Sequence, residues 1–170
     1  MKKITIALAG CVLSVALVAS AATGAPGGAA LAGSTPAWAN GGNYKAAANA
    51  TDWVNFRVYL GLRNQAQAES LAQAVSTPGS SSYGKYLTPG QFQSRFAPTQ
   101  AQVNAVRSWL QSQGLTVDYT PTNNHYVAAE GTAAQVETAF ATKLNEYTVD
   151  GLTLRAPTSD LSIPSSLSER

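Results

Sequence analysis

Ahead of each of three longer apolar stripes at helical spacing in this 170-residue chain, a short polar residue stands three positions before a glutamine. The three pairs are Asn64-x-x-Gln67, Thr99-x-x-Gln102 and Thr132-x-x-Gln135. In such a pair the first side chain accepts a backbone N–H from the opening turn and the glutamine reaches back to the cap, so each pair marks a helix start. The stripes that follow are Ala68, Leu71, Ala72 and Val75; then Val103, Val106 and Leu110; then Val136, Ala139, Phe140 and Leu144. Residues three and four apart share one face of a helix, so each stripe has a core to meet. The spacing predicts helices from about Gln65 to Ser76, from Thr99 to a C′ glycine at Gly114, and from Thr132 onward. Trp109 is expected at the edge of the second helix.

Between these helices the apolar period changes to two. Val54, Phe56, Val58, Leu60 and Leu62 alternate with Asn55, Arg57, Tyr59 and Gly61, the pattern of a half-buried strand. Leu115, Val117 and Tyr119 predict a second strand, Pro121–Asn124 a turn, and Tyr126–Ala129 a third strand. Tyr147–Val149 and Leu152–Leu154 flank Asp150-Gly151, a type I′ hairpin signal. The order strand, helix, strand, strand, helix, strand defines an α+β class of the ferredoxin-like, split βαβ kind. It predicts an antiparallel sheet with helices on one face and an extra helical insertion after the first helix.

The ends of the chain have a different character. Met1-Lys2-Lys3 is basic, Ile4–Ala22 is an apolar run, and Ala30-Leu31-Ala32 is a small-x-small site, so residues 1–32 read as an export signal peptide of bacterial type. Cleavage after Ala21 is the alternative to cleavage after Ala32. Left uncut, the run is long enough for a membrane anchor. Leu8-Ala9-Gly10-Cys11 spells a lipobox, but lipoprotein processing there would leave only seven residues of the apolar run before the cysteine and a greasy new N-terminus. Cys11 is the only cysteine, so an exported chain has no disulfide and no thiol nucleophile, and its core must stand alone. The formal charge of +2 comes from Lys2 and Lys3, which leaves the rest neutral and gives no basic stripe for nucleic acid and no basic amphipathic helix for a membrane surface. Residues 33–50, rich in Gly, Ala and Asn, are expected to be a flexible leader, residues 51–157 the folded domain, and residues 158–170 an extended tail, where Pro164, like Pro157 just before it, resists helix.

Generic patterning does not account for Tyr83-Gly84-Lys85-Tyr86-Leu87-Thr88-Pro89-Gly90-Gln91-Phe92-Gln93-Ser94-Arg95-Phe96-Ala97-Pro98-Thr99. Thr88-Pro89 and Pro98-Thr99 are helix-start signals, with one short helix between them. Phe92 and Phe96 share a face of it, beside Leu87 and Tyr86. The residues Tyr83, Tyr86, Leu87, Thr88, Phe92, Phe96, Pro98 and Thr99 resemble the signature of the activation domain of sedolisin or pro-kumamolisin type serine-carboxyl peptidases. The resemblance continues through Gln102–Leu110, Gly131–Leu144 and Arg155-Ala156-Pro157, covering roughly Asp52 to Pro164.

That resemblance implies a propeptide: an intramolecular chaperone and autoinhibitor of a secreted peptidase, bound to its catalytic domain in cis or in trans, monomeric, extracellular and without a cofactor. It implies that the open face of the sheet packs on the enzyme and that the C-terminal segment leads to the substrate cleft, with Arg155, Ala156, Pro157, Leu161, Ile163 and Pro164 as partner-binding residues. The chain itself is not expected to be an enzyme. The family's Ser-Gly-Thr-Ser motif is missing, and Gly79-Ser80-Ser81-Ser82-Tyr83-Gly84 and Glu130-Gly131-Thr132-Ala133 do not replace it. His125, the single histidine, follows Asn123-Asn124 in a turn and reads as solvated, and with no cysteine in the exported chain no transition-metal site is expected. Phe92 and Phe96 are read first as a satellite core beneath a loop. Glu130, Glu137 and Glu146 are candidates for release of the enzyme in acid. The sequence stops at Ser168-Glu169-Arg170, about where a linker to a catalytic domain is expected, which leaves a shortened precursor and a stand-alone prodomain open. Two other functions stay open: a free secreted inhibitor acting in trans, and a ferredoxin-like binding module unrelated to proteolysis.

Overall fold

The alternation in Val54–Leu60 becomes strand β4 (Trp53–Leu60), the centre of the fold in the computed structural model, which describes residues 4–8 and 28–168. Residues 9–27, with Cys11 and the bond after Ala21, lie outside the described residues, as do the first three and the last two. Along β4 the side chains of Val54, Phe56, Val58 and Leu60 are buried while Trp53, Asn55 and Arg57 are exposed, as a period of two requires. Strands β1 (Ile4–Leu8), β5 (Thr116–Tyr119) and β6 (Tyr126–Thr132) complete an antiparallel sheet in the order β1-β4-β6-β5. Helices α3 (Gln100–Ser112) and α4 (Ala133–Phe140) cover one face of it.

The core lies between that face and those helices. It joins the β4 residues to Val127 and Ala129 of β6, Leu115, Val103, Val106 and Leu110 of α3, and Val136 and Phe140 of α4. The Phe140 ring meets Phe56 edge-on at 5.5 Å between centroids and Trp109 at 5.2 Å. Burial of each such side chain contributes about 1.5–3 kcal/mol. Two of the three expected capping boxes form in full: Thr99 with Gln102 starts α3 and Thr132 with Gln135 starts α4. Gly114, at φ 77°, ends α3 as expected, with Gly114 N–H donating to Gln111 O and Leu115 N–H to Leu110 O. Helix α1 (Gln65–Ser76) spans the expected residues, but its start differs. Asn64 sits in the left-handed region at φ 51° and makes no side-chain cap, a conformation that a short amide tolerates better than most side chains. Only Ala68 and Val75 of its stripe are buried, and α1 lies outside the main core.

Gly131, on β6, faces the packed layer. A Cβ there would stand 2.5 Å from Leu115 Cδ2 and 3.1 Å from Gln135 Oε1, the oxygen that accepts the Thr132 N–H. Leu115 is itself buried and cannot swing away. Gly131→Ala is therefore expected to destabilise the fold by about 1–3 kcal/mol. A urea midpoint equal to that of the parent chain would show that the layer has slack.

Three features depart from the sequence expectations. First, the final strand of the split βαβ order, β7 (Leu144–Val149), does not join the main sheet. It forms a second antiparallel sheet, β3-β7-β8, with β3 (Tyr44–Ala47) and β8 (Leu152–Pro157), and β1 takes the place beside β4. The α+β class and the helices on one face are as expected, as is the β7–β8 turn, where Asp150 and Gly151 both have positive φ. Second, the stretch 33–50 is folded rather than flexible. Its β3 pairs with β7, Ala48 N–H donates to Leu144 O, and Trp38 packs edge-on against Tyr147 at 5.8 Å. Third, the tail is partly structured. It forms β9 (Leu161–Pro164), paired with β2 (Gly28–Leu31), and the helical turn α5 (Ser165–Ser168). In both stretches a few well-placed apolar side chains find partners that lie far away in sequence, which composition does not register.

Candidate functional site

The sheet face opposite the helices is open, and its side chains are set by register. Across β4 and β6, Asn55 pairs with Glu130, Arg57 with Ala128 and Tyr59 with Tyr126. On β5 a register shift between Val117 and Tyr119 leaves Asp118 unpaired, so Tyr119 turns to the open face opposite Ala128. The alternation in the sequence had placed Tyr119 inward with Val117. The bulge therefore joins Tyr119 to Tyr59 and Tyr126. Ring centroids are 5.5 Å apart for Tyr59 and Tyr126 and 6.2 Å for Tyr119 and Tyr126. The Arg57 guanidinium lies 5.0 Å from the centre of the Tyr126 ring. A hydrogen bond with Tyr59, and then the charges of Tyr126 and Tyr59, push Arg57 further up from an already high pKa, so it stays a cation. His125 is exposed, as expected, with its ring edge-on to Tyr59.

Trp53 is 61% exposed and Tyr119 55%, far more than large aromatics in a finished core. The face thus offers a cluster of three tyrosine rings with a cation over one of them, with Glu130 further along it opposite Asn55 and Trp53 towards the far end of β4. Such strips anchor protein interfaces, because rigid rings bury much area at low entropic cost.

The signature element is placed at the same end of the sheet. Thr88 and Gln91 form a capping box at the start of α2 (Pro89–Phe96), and Arg63, following β4, holds its far end. Arg63 donates through Nε to Ala97 O and through Nη2 to Ser94 O, while Gln93 Nε2 donates to Thr122 O at 2.6 Å and Asn124 Nδ2 to Pro98 O at 3.0 Å. Phe96 and Pro98 are buried and Leu87 is half-buried. Phe92 touches Phe96 at 5.2 Å yet is 41% exposed, so only half of that pair belongs to a satellite core. Tyr83 and Tyr86 are exposed.

The C-terminal residues expected to meet a partner lie within the chain's own packing. Arg155 pairs with Asp52 and lies 3.8 Å from Glu146, which in turn is 3.7 Å from Lys45. Ala156, Pro157, Leu161 and Ile163 are buried and Pro164 is half-buried. Of the three glutamates singled out for acid release, Glu146 belongs to this network and Glu137 is bound to Lys143 Nζ at 2.7 Å and to the Leu144 N–H at 2.9 Å. Glu130 alone of the three is on the open face.

Burial pushes the Glu137 pKa up, but the Leu144 N–H and the Lys143 ammonium together outweigh it and hold the carboxyl below its usual value of 4.5. A depressed folded-state pKa means stability that is present above the unfolded value and lost as pH falls through the folded one. The parent chain is thus expected to melt above Glu137→Gln at pH 7, by about 1 kcal/mol of stability given the exposed lysine, and the two should converge once pH falls below the folded-state value. A gap that persists in acid would sink this assignment.

Among the described residues no group of three or more His, Cys, Asp and Glu converges as a metal site, and no helix is long and apolar enough to cross a membrane. The domain is thus α+β, with an open aromatic sheet face and the signature helix strapped at its end. The family model for the pro-kumamolisin activation domain matches residues 40–170, and the chain belongs to that family. It is 41% identical to sedolisin of Pseudomonas sp. (strain 101) over 112 residues, 66% of this chain and 19% of that protein. It is 36% identical to xanthomonalisin of Xanthomonas sp. (strain T-22) over 116 residues, 68% of this chain and 14% of that protein. It is 34% identical to tripeptidyl-peptidase sed1 of Aspergillus fumigatus over 97 residues, 56% of this chain and 15% of that protein. The chain thus spans less than a fifth of the length of these curated relatives.

Proposed function

We propose that this domain is the propeptide of a secreted serine-carboxyl peptidase of the sedolisin type, which it helps to fold and then inhibits. The observation that carries this reading is the open face of Trp53, Tyr59, Tyr119 and Tyr126 on a member of an activation-domain family. The aromatic strip docks on the catalytic domain, and Arg57 and Glu130 set the orientation of the docked face by charge. The basic start and apolar run at the N-terminus direct export. With Leu161 and Ile163 committed to the core, the part of the C-terminal segment that enters the substrate cleft starts at about Ser168.

The test is inhibition of a purified mature sedolisin-type peptidase by the chain at neutral and acidic pH. Slow, tight inhibition that weakens in acid is expected. A folded chain that leaves the peptidase fully active throughout would sink the reading and favour a ferredoxin-like binding module unrelated to proteolysis. Inhibition equal at both pH values would keep the docking role and remove the release in acid. A free inhibitor acting in trans would block the enzyme without itself being cut between Leu161 and Arg170.

A further inference from the structure

The sequence offers two places for an export peptidase to cut, after Ala21 and after Ala32, and the fold engages residues 28–32 just before the second. Strand β2 pairs antiparallel with β9 along its whole length, from Gly28 opposite Pro164 to Leu31 opposite Leu161. Among the described residues β2 is the only strand that pairs with β9. Leu31 is 5% exposed and belongs to the main core together with Leu161, Ile163 and Leu167, and Ala29 packs against that core.

The bond between Ala32 and Gly33 leads into a hydrogen-bonded corner. The Asp160 carboxylate accepts the Gly33 N–H and the Thr35 N–H, both at 3.0 Å, and the Ser34 hydroxyl at 3.4 Å. Ser34 Oγ in turn accepts the Leu161 N–H at 2.8 Å. The corner thus ties the entry of β9 to the exit of β2.

A cut after Ala32 would remove the strand that pairs with β9, take Leu31 out of the core, and uncover Leu161, Ile163 and Leu167 to water. The new ammonium at Gly33 would still reach Asp160. That contact is exposed to solvent, however, and replaces none of the lost apolar cover. We infer that β2 is a permanent part of the working domain, whereas β1, at the edge of the main sheet, leaves with the export leader, so that processing cuts before Gly28 and leaves the Ala32–Gly33 bond intact. The inference rests on the reading of the first residues as an export leader.

Intact-mass measurement and N-terminal sequencing of the protein exported from a bacterium carrying the full chain test both. An N-terminus before Gly28, with Ala22 as the site the sequence supplies, is the expected result. An N-terminus at Gly33 would overturn the inference while upholding the leader, whereas a start at Met1 or Lys2 would overturn the leader reading and the inference with it. A second measurement uses a single substitution in the full chain. Leu31→Asp is expected to speed hydrogen exchange of the β9 amides by ~100-fold or more while β4 and β6 keep their protection. Unchanged exchange in β9 would show that β2 is not what holds it, and would overturn the inference independently.

Discussion

Phe140→Ala is expected to cost this domain about 3–5 kcal/mol, as large a loss as any single truncation in the core. The ring is 1% exposed and closes an edge-to-face stack between Phe56 on the sheet and Trp109 on α3. Its removal opens a cavity where β4, α3 and α4 meet, and backbone elements on three sides limit collapse. Small domains have about 5–15 kcal/mol in total, so the variant should be partly unfolded at 37 °C. Equilibrium urea unfolding checks this: the midpoint should fall steeply with an unchanged slope. A loss under 1 kcal/mol would mean that the stack is not the keystone its geometry describes.

The second large effect concerns binding. Tyr126→Ala is expected to weaken inhibition of a sedolisin-type peptidase by about 30-fold, some 2 kcal/mol, while its own fold loses little. Tyr126 stands between Tyr59 and Tyr119 and under the Arg57 guanidinium, so its removal disperses the whole strip. The side chain is only half-buried in the free domain, which is why the effect should appear in binding rather than in stability. Leu152→Ala, on the exposed β7–β8 turn, serves as the matched control and should leave the inhibition constant unchanged. Equal inhibition by folded Tyr126→Ala and the parent would place the docking surface elsewhere, with the exposed Tyr83, Tyr86 and Phe92 of the signature element the next to examine.

Much of the candidate face was legible in the alternation of residues 53–60, since a buried Val54, Phe56 and Val58 force Trp53, Asn55 and Arg57 outward. The pairing of β4 with β6 then brings Tyr126 beside Tyr59. Tyr119 escaped that logic. A single bulged residue, Asp118, reverses the side on which every later side chain of β5 falls, and nothing in Thr116-Val117-Asp118-Tyr119 marks it. The signature run announced its two helix starts through Thr88 and Thr99, but not that Arg63, some thirty residues from the carbonyls it binds, would hold the end of α2.

What the sequence by itself determined is local. Capping pairs, the glycine after α3, the Asp150-Gly151 turn and the two apolar periods each act within a few residues, and the backbone obeys them wherever the segment lies. Asn64 shows the limit even there, because an amide that can cap a helix can also take the left-handed conformation. Only the tertiary structure decided which short strands meet: β7 with β3 instead of the main sheet, and β9 with β2 across more than a hundred residues. The physical reason is that a four-residue strand carries the same backbone donors and acceptors as any other. Its partner is chosen by which uncovered edge and which gap in the core are left once the larger elements have packed.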